Sequence, residues 1–295
     1  MPNTIHSQLK NAQDLLKNNH SQNHSENHTD SPQIDCEILL CFILKKNRAY
    51  LYSHPEKILN PDQINLFNYL ISERMKGQPI AYLTGSREFW SLDFYINPDV
   101  LIPRADTEIL IQAVLDHASQ GQSPAKILNI ADFGTGSGII AITLASERPD
   151  WKIIGLDISP QALKLAQKNA EKNKIKNISF IESSWGEKLL EQDLLLDLIV
   201  SNPPYLSQTD PHLSQGDLRF EPPGALISGK SGLEDFEKII KQAKQLLKPG
   251  SGKIFFEHGF NQAQDIFNLL TQAGFKNIQT IQDLNNLDRV TFAQN

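Results

Sequence analysis

The chain has 295 residues, 40% of them hydrophobic and 21% charged, with a net charge of −6. That length and mixture suit one large globular domain or two smaller ones. The acidic balance excludes a protein held to nucleic acid by a broad basic surface, though not a local basic groove. Cys36 and Cys41 share one apolar segment, DCEILLCFIL, and read as buried thiols of a reducing compartment. The first residues lack the apolar core of a signal peptide, and no apolar run is long enough to span a bilayer. A cytoplasmic protein is expected.

Residues 4–18 have helical apolar spacing, with Thr4 as N-cap. A polar stretch from Lys17 to Gln33, rich in Asn, His and Ser, reads as a flexible linker. His20, His24 and His28 recur every fourth residue, which on a helix would form a metal-binding face. The surrounding Asn and Ser disfavour that helix, and no metal site is expected. Asp35 reads as the cap of a second apolar helix reaching about Lys45. Asn60-Pro61 opens another, to about Lys76, with proline in its first turn. A helical domain over residues 1–83 follows. Across residues 1–100, nine Lys and Arg meet eleven Asp and Glu, so this domain is no basic clamp for DNA.

Gly85 to Leu101 (GSREFWSLDFYINPDVL) alternates aromatic residues and contains an Asn-Pro-Asp turn. It reads as a β-hairpin, the 84–103 linker to a second domain over 104–295. There strands are predicted near 127–132, 152–157, 178–182, 194–200, 253–257, 275–281 and 289–293. Helices are predicted near 104–119, 138–147, 160–173, 232–247 and 261–273. This alternation implies a mostly parallel, doubly wound α/β sheet of seven strands. The last two strands lack an intervening helix, so an antiparallel hairpin is expected at the sheet edge.

The first of these strands runs into Asp132-Phe133-Gly134-Thr135-Gly136-Ser137-Gly138, then a helix. Glycines let a backbone turn tightly and approach a ligand. The next strand ends at Asp157, placed to accept hydrogen bonds from the ribose hydroxyls of a nucleoside. A dinucleotide site usually shows GxGxxG, with pyrophosphate on the helix N-terminus. Here the spacing is GxGxG. Asp132, two residues before the first glycine, disfavours phosphate and suits the amino group of a methionyl moiety. S-adenosylmethionine is therefore favoured over a nicotinamide dinucleotide. Asp132 also reads as a loop brace, and Asp157 as a turn or helix-capping acid. Trp185 follows the third strand and suits either an adenine face or a satellite core.

Asn202-Pro203-Pro204-Tyr205 follows the apolar run LLLDLIV, on a loop at the carboxyl end of a strand. A planar amide or aryl amine is a weak nucleophile, because its nitrogen lone pair is delocalised. An enzyme that alkylates such a nitrogen must hold the NH2 with acceptors. The Asn202 side-chain oxygen and the Pro203 carbonyl suit that task, and prolines add no competing N–H. Tyr205 can stack on the planar group. The same geometry suits glutamine and adenine N6 alike.

Residues 78–108 (QPIAYLTGSREFWSLDFYINPDVLIPRADTE) resemble the signature of the release factor glutamine methyltransferases, the PrmC/HemK family. So do NPPYLSQTDPHLSQGDLRFEPPGAL at 202–226, FFEHGFNQ at 255–262 and LDRV at 287–290. The resemblance spans nearly everything from Asp35 onward. It implies a class I S-adenosylmethionine-dependent methyltransferase with a Rossmann-like seven-stranded sheet and a small N-terminal helical domain for substrate recognition. The family methylates the side-chain nitrogen of the glutamine in the Gly-Gly-Gln loop of bacterial peptide chain release factors.

Carried over by position, Gly134, Thr135, Gly136, Ser137, Gly138, Asp157, Trp185 and Asn202 contact the cofactor, and Asn202, Pro203, Pro204 and Tyr205 hold the glutamine. Asn202, Pro203 and Tyr205 carry the catalysis. Ala105 stands where the family often has proline, Phe133 where it is usually aliphatic, and the His/Asn-rich insert is no family feature. Arg104 and Glu108 share one helix face and read either as a lid or substrate-orienting pair or as a surface ion pair, and His212 to Pro223 reads as a wall or flap beside the substrate loop. His258 reads as a packing residue, and no catalytic histidine is assigned. The expected partner is a release factor, with no nucleic acid or membrane, and the expected state is a monomer. Three rivals stand beside this reading. They are the sister enzyme acting on a ribosomal large-subunit protein, an adenine-N6 nucleic-acid methyltransferase, and a non-catalytic module that kept the pocket.

Overall fold

The computed structural model describes residues 3–22, 31–118, 127–192 and 194–295. The chain divides into two compact units, Met1–Ser86 with Pro211–Phe220, and Arg87–Asp210 with Glu221–Asn295.

In the first unit, α1 (Ile5–Gln22) starts behind Thr4, whose Oγ1 accepts a hydrogen bond from Ser7 N at 3.3 Å. The helix continues into the polar stretch expected to be a linker. Once nucleated, a helix gains a backbone hydrogen bond for each added residue, so the Asn and Ser here do not stop it. His24, His28 and the His20 side chain lie outside the described residues, as does the linker reading of 23–30. The second helix, α2 (Pro32–Leu44), begins earlier than expected, with Ser31 before it and proline in its first turn. Asp35 is not its cap. It sits inside the first turn, and its Oδ2 accepts a hydrogen bond from Arg74 Nε at 2.7 Å. Two short helices, α3 (Arg48–Ser53) and α5 (Ile80–Thr84), were not anticipated. Between them α4 (Pro61–Met75) carries the reciprocal cap that Asn60 promises. Gln63 N donates to Asn60 Oδ1 at 2.8 Å, and Asn60 N donates to Gln63 Oε1 at 3.0 Å.

Ile5, Leu16, Leu39, Leu40, Phe67 and Leu70 form the core of this unit. The buried Arg74 guanidinium is matched on several sides. Besides Asp35, it donates to Gln78 O at 3.0 Å and to Asp217 Oδ1 at 3.3 Å. A desolvated guanidinium needs such partners. Asp217 thereby ties Pro211–Phe220 to the helices.

The second unit opens with the hairpin β1 (Ser86–Phe89) and β2 (Leu92–Tyr95). Its turn is Trp90-Ser91, with φ of 51° and 60°; the expected Asn97-Pro98-Asp99 turn follows the second strand, where Val100 N donates to Asn97 O at 3.2 Å. Two positive φ values match the strand twist of a two-residue hairpin. Next come α6 (Thr107–His117), β3 (Asn129–Phe133), α7 (Ile139–Glu147), β4 (Lys152–Asp157), α8 (Pro160–Lys172) and β5 (Ile178–Glu182). They are followed by α9 (Glu187–Leu190), β6 (Leu198–Ser201), α10 (Glu234–Leu246), β7 (Lys253–Glu257), α11 (Ala263–Gln272), β8 (Lys276–Gln282) and β9 (Asp288–Gln294). Short 3-10 turns occupy Pro211–Ser214, Gly216–Phe220 and Pro223–Ala225.

The seven strands lie in the order β5-β4-β3-β6-β7-β9-β8. The first five are parallel, and β9 and β8 are antiparallel. The doubly wound α/β sheet with an antiparallel edge hairpin is thus the observed one. All four residues of β6 are buried, as a strand covered on both faces requires. The strand order reverses between β3 and β6. In such sheets ligands bind beyond the carboxyl ends of the strands, at that reversal. Phe133, Leu156, Ile199, Phe236, Leu246 and Phe256 fill the core beneath.

Candidate active site

At that reversal point the second unit encloses a cavity of ≈ 410 Å³. One wall comes from the loop after β3. Gly134 has φ 76°, Gly136 φ 55° and Gly138 φ 83°, all left-handed. Gly134, Thr135, Gly136 and Ser137 face the cavity. Gly138 is not among the lining residues. A Cβ there would lie 2.7 Å from Ile142 Cδ1 and 3.1 Å from Ala166 Cβ, so this glycine lets α7 start against α8.

Acids brace the same loop. Gly136 N donates to Asp157 Oδ2 at 2.8 Å, and Ser159 N donates to Asp157 Oδ1 at 2.9 Å. Burial raises the Asp157 pKa, and these amide bonds partly offset the rise. Asp157 nonetheless lines the cavity, and each carboxylate oxygen keeps a second acceptor site. Asp132 does not line it. Fully buried, it accepts from Thr135 Oγ1 at 2.6 Å and Ala141 N at 3.2 Å through Oδ2. Burial lifts its pKa to about 7. Its Oδ2 thus braces the loop, while its Oδ1 is buried without a protein partner. Trp185, with φ 53°, borders the cavity and packs on the core. Its ring lies against Gly134, where a Cβ would come 3.1 Å from Cζ3.

The opposite wall is the loop after β6. Asn202 and Pro204 line the cavity, whereas Pro203 and Tyr205 are not among its lining residues. Tyr205 packs against the core. Its pKa rises to about 12, from burial first and the Glu257 charge second. Gln262 Nε2 donates to Tyr205 O at 3.0 Å and to Gly232 O at 3.3 Å, which pins the loop from the α11 side. Asn202 Nδ2 lies 3.5 Å from Thr107 Oγ1. Asn202 Oδ1 is buried and has no protein partner.

Beneath Asn202 sits Glu257, which the sequence reading passed over. Adjacent strands explain the placement, since Ser201 of β6 is paired with Phe256 of β7 and one more residue on each brings Asn202 and Glu257 together. Glu257 is fully buried, and burial raises its pKa to about 7. Hydrogen bonds from Thr107 and Asn202 and the charge of Arg289 pull the other way, and Asp106 adds to the rise. Arg289 Nε also reaches Asp106 at 3.2 Å and Asp283 at 3.1 Å, anchoring the start of α6. Of these residues, Glu257, Gln262 and Arg289 lie in the FFEHGFNQ and LDRV segments, and Thr107 lies just after IPRA. The signal was in those segments, without a role attached.

Arg104 does not pair with Glu108. It lies before α6 and forms an ion pair with the buried Glu221, whose other oxygen accepts from Ile102 N at 3.1 Å. Glu221 thereby holds Ile102-Pro103-Arg104 in place. His258 is a packing residue as expected, hydrogen-bonded to Gly259 O at 2.9 Å and Thr291 Oγ1 at 2.8 Å. Among the described residues no cluster of His, Cys, Asp or Glu is arranged to hold a metal ion. Nor is any described helix long and apolar enough to cross a membrane.

A glycine loop after the first parallel strand, an acid ending the second and an unsatisfied amide oxygen across the cavity define a methyltransferase. A family model described as a methyltransferase domain matches residues 125–291, and one described as the PrmC N-terminal domain matches residues 11–85. Two solved structures share the fold. A Pyrococcus furiosus methyltransferase is 14% identical with TM-score 0.51, over 79% of this chain and 98% of that one. The Thermus thermophilus 16S rRNA N2 G1207 methyltransferase, in complex with AdoMet and guanosine, is 22% identical with TM-score 0.52, over 71% and 49%. At such identity both speak to the fold alone.

The curated relatives are much nearer. The release factor glutamine methyltransferase of Aliivibrio fischeri is 43% identical over 90% of this chain and 91% of its own. That of Vibrio cholerae is 41% identical over 99% and 96%, and that of Escherichia coli 42% over 90% and 93%. The chain belongs to the release factor glutamine methyltransferase family.

Proposed function

We propose that this enzyme transfers a methyl group from S-adenosylmethionine to the N5 side-chain nitrogen of the glutamine in the Gly-Gly-Gln loop of peptide chain release factors, in the cytoplasm, and so tunes translation termination. The observation that carries the reading is Asn202, which lines the cavity across from the glycine loop and whose buried Oδ1 has no protein partner. A buried acceptor left unpaired is costly, and an incoming NH2 group would satisfy it.

The cavity fits the cofactor. Left-handed glycines bring backbone close to a ligand, and side chains at Gly134 or Gly138 would collide with Trp185 or Ile142. Gly134, Thr135, Gly136 and Ser137 would hold the methionyl end, Asp157 the ribose and Trp185 the adenine. Gly138 supports them from behind. When bound, S-adenosylmethionine supplies an electrophilic methyl group on a sulfonium centre.

The rest is done by the chain. Asn202 Oδ1, with the Pro203 carbonyl, accepts the amide N–H groups and fixes the nitrogen in the attacking orientation. Pro203 and Pro204 stiffen the loop and add no donor. Tyr205 packs on the core behind the loop and backs it. The nitrogen becomes acidic as it is alkylated, so its proton leaves to water and no strong base is required. Residues 1–83 serve substrate recognition, residues 84–103 link, and residues 104–295 carry the chemistry.

The test uses labelled S-adenosylmethionine with four acceptors in separate reactions. They are a release factor, its Gly-Gly-Ala loop variant, a ribosomal large-subunit protein and DNA. Label is expected on the intact release factor alone. Label on DNA or the ribosomal protein and none on the release factor overturns the reading.

A further inference from the structure

Trp185 carries a large side chain on backbone that favours glycine. Its φ of 53° is left-handed, where Cβ crowds the following carbonyl oxygen. A bulky residue stays in that region only when its surroundings hold it, and such positions gather at ligand clamps. Trp185 lines the cavity, and its ring lies against Gly134 at the head of the glycine loop. Relaxing φ would swing the indole away from that glycine.

The hold is applied through the next residue. Gly186 N donates to Gln242 Oε1 at 2.7 Å. Gln242 belongs to α10, whose Phe236, Ile239, Ala243 and Leu246 are buried in the core, so the acceptor stands on a fixed element. Gly186 is pressed against the same helix face. A Cβ there would lie 2.6 Å from Leu246 Cδ1 and 2.7 Å from Phe133 Cζ, and Leu246 is four residues beyond Gln242. Phe133, whose ring stands where the family is usually aliphatic, directly precedes Gly134. Its ring fills the space that a side chain at Gly186 would need. The flanks of the turn are tied separately. Ser183 N donates to Asp157 O at 3.0 Å, and Lys188 N donates to Ser183 Oγ at 3.1 Å. The Gln242 bond joins the far side of Trp185 to α10.

We propose that Gln242 is a positioning residue of the cofactor site. By accepting from Gly186 N it holds Trp185 in left-handed backbone, and so keeps the indole against Gly134 as a wall for the adenine. The proposal rests on the S-adenosylmethionine reading for the identity of that ligand. One hydrogen bond matters here because left-handed backbone costs a bulky residue about as much as one such bond contributes.

The experiment compares Gln242→Leu with Gln242→Glu. Leu keeps the bulk and removes the acceptor. Glu keeps an acceptor oxygen at the same reach. By calorimetry, Gln242→Leu should weaken S-adenosylmethionine binding about 5- to 20-fold, the scale of one lost hydrogen bond. Gln242→Glu should stay within about twofold of wild type. With a release factor as substrate, Gln242→Leu should raise KM for the cofactor and leave kcat at saturation within about twofold. In a Trp185→Ala background, adding Gln242→Leu should change the cofactor Kd less than about twofold, because its effect passes through Trp185. A readout independent of any ligand comes from 15N-correlated NMR. The three tryptophans give three indole N–H resonances, and that of Trp185 is assigned by its loss in Trp185→Phe. In Gln242→Leu it should move while those of Trp90 and Trp151 stay, and in Gln242→Glu all three should stay.

An unmoved Trp185 resonance in a folded Gln242→Leu protein overturns the proposal. So does a Glu variant as weak in binding as the Leu variant, or a Leu effect undiminished in the Trp185→Ala background. If Gln242→Leu does not fold, Gln242→Ala removes the same acceptor and is compared with Glu in its place. If the wild-type protein binds no S-adenosylmethionine, the cofactor reading fails, and the indole resonances still decide for or against the hold on Trp185.

Discussion

The two walls of the cavity are built on opposite principles. The glycine-loop wall is largely satisfied from within. Both oxygens of Asp157 hold backbone N–H groups, and Asp132 Oδ2 holds Thr135 and Ala141. The facing wall keeps acceptors in reserve, with Asn202 Oδ1 and Glu257 Oε2 buried and without protein partners. Self-satisfied backbone gives a rigid cradle that needs no ligand to form. On the proposed function, the unspent acceptor of Asn202 is the one that substrate would complete. On the same reading, binding and chemistry are divided between the walls, and substitutions on either side should fail in different ways.

The largest effect is expected at Asn202. Asn202→Ala should reduce methyl transfer to release factor by about 10³-fold, the upper range for removing one preorganised polar contact. Its Tm should stay within a few degrees of wild type, since Asn202 loses only a long hydrogen bond to Thr107 and its interaction with Glu257. Cofactor affinity by calorimetry should stay near wild type. An active Asn202→Ala enzyme breaks the division between the walls.

Asp157→Ala tests the other wall. S-adenosylmethionine affinity should weaken about 10- to 100-fold, through lost ribose acceptors and through release of the amides of Gly136 and Ser159. At saturating cofactor, kcat should recover to within a few-fold. An unchanged calorimetric Kd would remove Asp157 from the ribose assignment.

Gly138→Ala sharpens the contrast further, because it probes the cradle without touching the cavity. The new Cβ meets Ile142 Cδ1 at 2.7 Å and stands at φ 83°. Left-handed backbone and overpacking together should cost about 2–4 kcal/mol of stability. Urea unfolding measures it, and a loss under about 0.5 kcal/mol would show that α7 and α8 simply part.

The two walls also differed in how far the sequence disclosed them. Gly134 to Gly138 and Asp157 could be read because their partners are local or one strand away. Asn202-Pro203-Pro204-Tyr205 was legible as a loop of acceptors after a strand. Glu257 and Thr107 were not, because only the pairing of β6 with β7 and the packing of α6 bring them to Asn202. The same limit hid Glu221 behind Arg104, where helical spacing had suggested Glu108. Local signals were uneven guides. The Asn97-Pro98-Asp99 turn was legible from its residue types, whereas the hairpin's own turn at Trp90-Ser91 was not, because there the strand twist sets φ and residue type does not. The helix α1 ran on to Gln22 because propagation outweighs the weak propensity of Asn and Ser. The parallel sheet was disclosed most fully, since buried strands leave apolar runs that solvent-facing ones do not.

The smallest expected effect tests the one unsatisfied atom on the cradle side, Asp132 Oδ1. Burial raises the Asp132 pKa from the ordinary 3.8 to about 7. Between those values the folded protein holds a proton that the unfolded chain has released. Stability is therefore greatest below about pH 4 in this respect and is lost as pH rises through about 7. Glu257 acts in the same direction, whereas acids such as Asp283, whose pKa is lowered mainly by backbone amides, act in the opposite one. A single wild-type curve mixes these, so the informative quantity is a difference. The urea-derived stability of Asp132→Asn minus that of wild type should increase by about 1–3 kcal/mol from pH 4 to pH 7.5, because Asn cannot acquire the buried charge. Asn can still accept from Thr135 and Ala141, so the cradle should keep its shape. A difference that is flat with pH would mean that Asp132 ionises as an ordinary carboxylate, and that the glycine-loop wall is as fully satisfied at Oδ1 as at Oδ2.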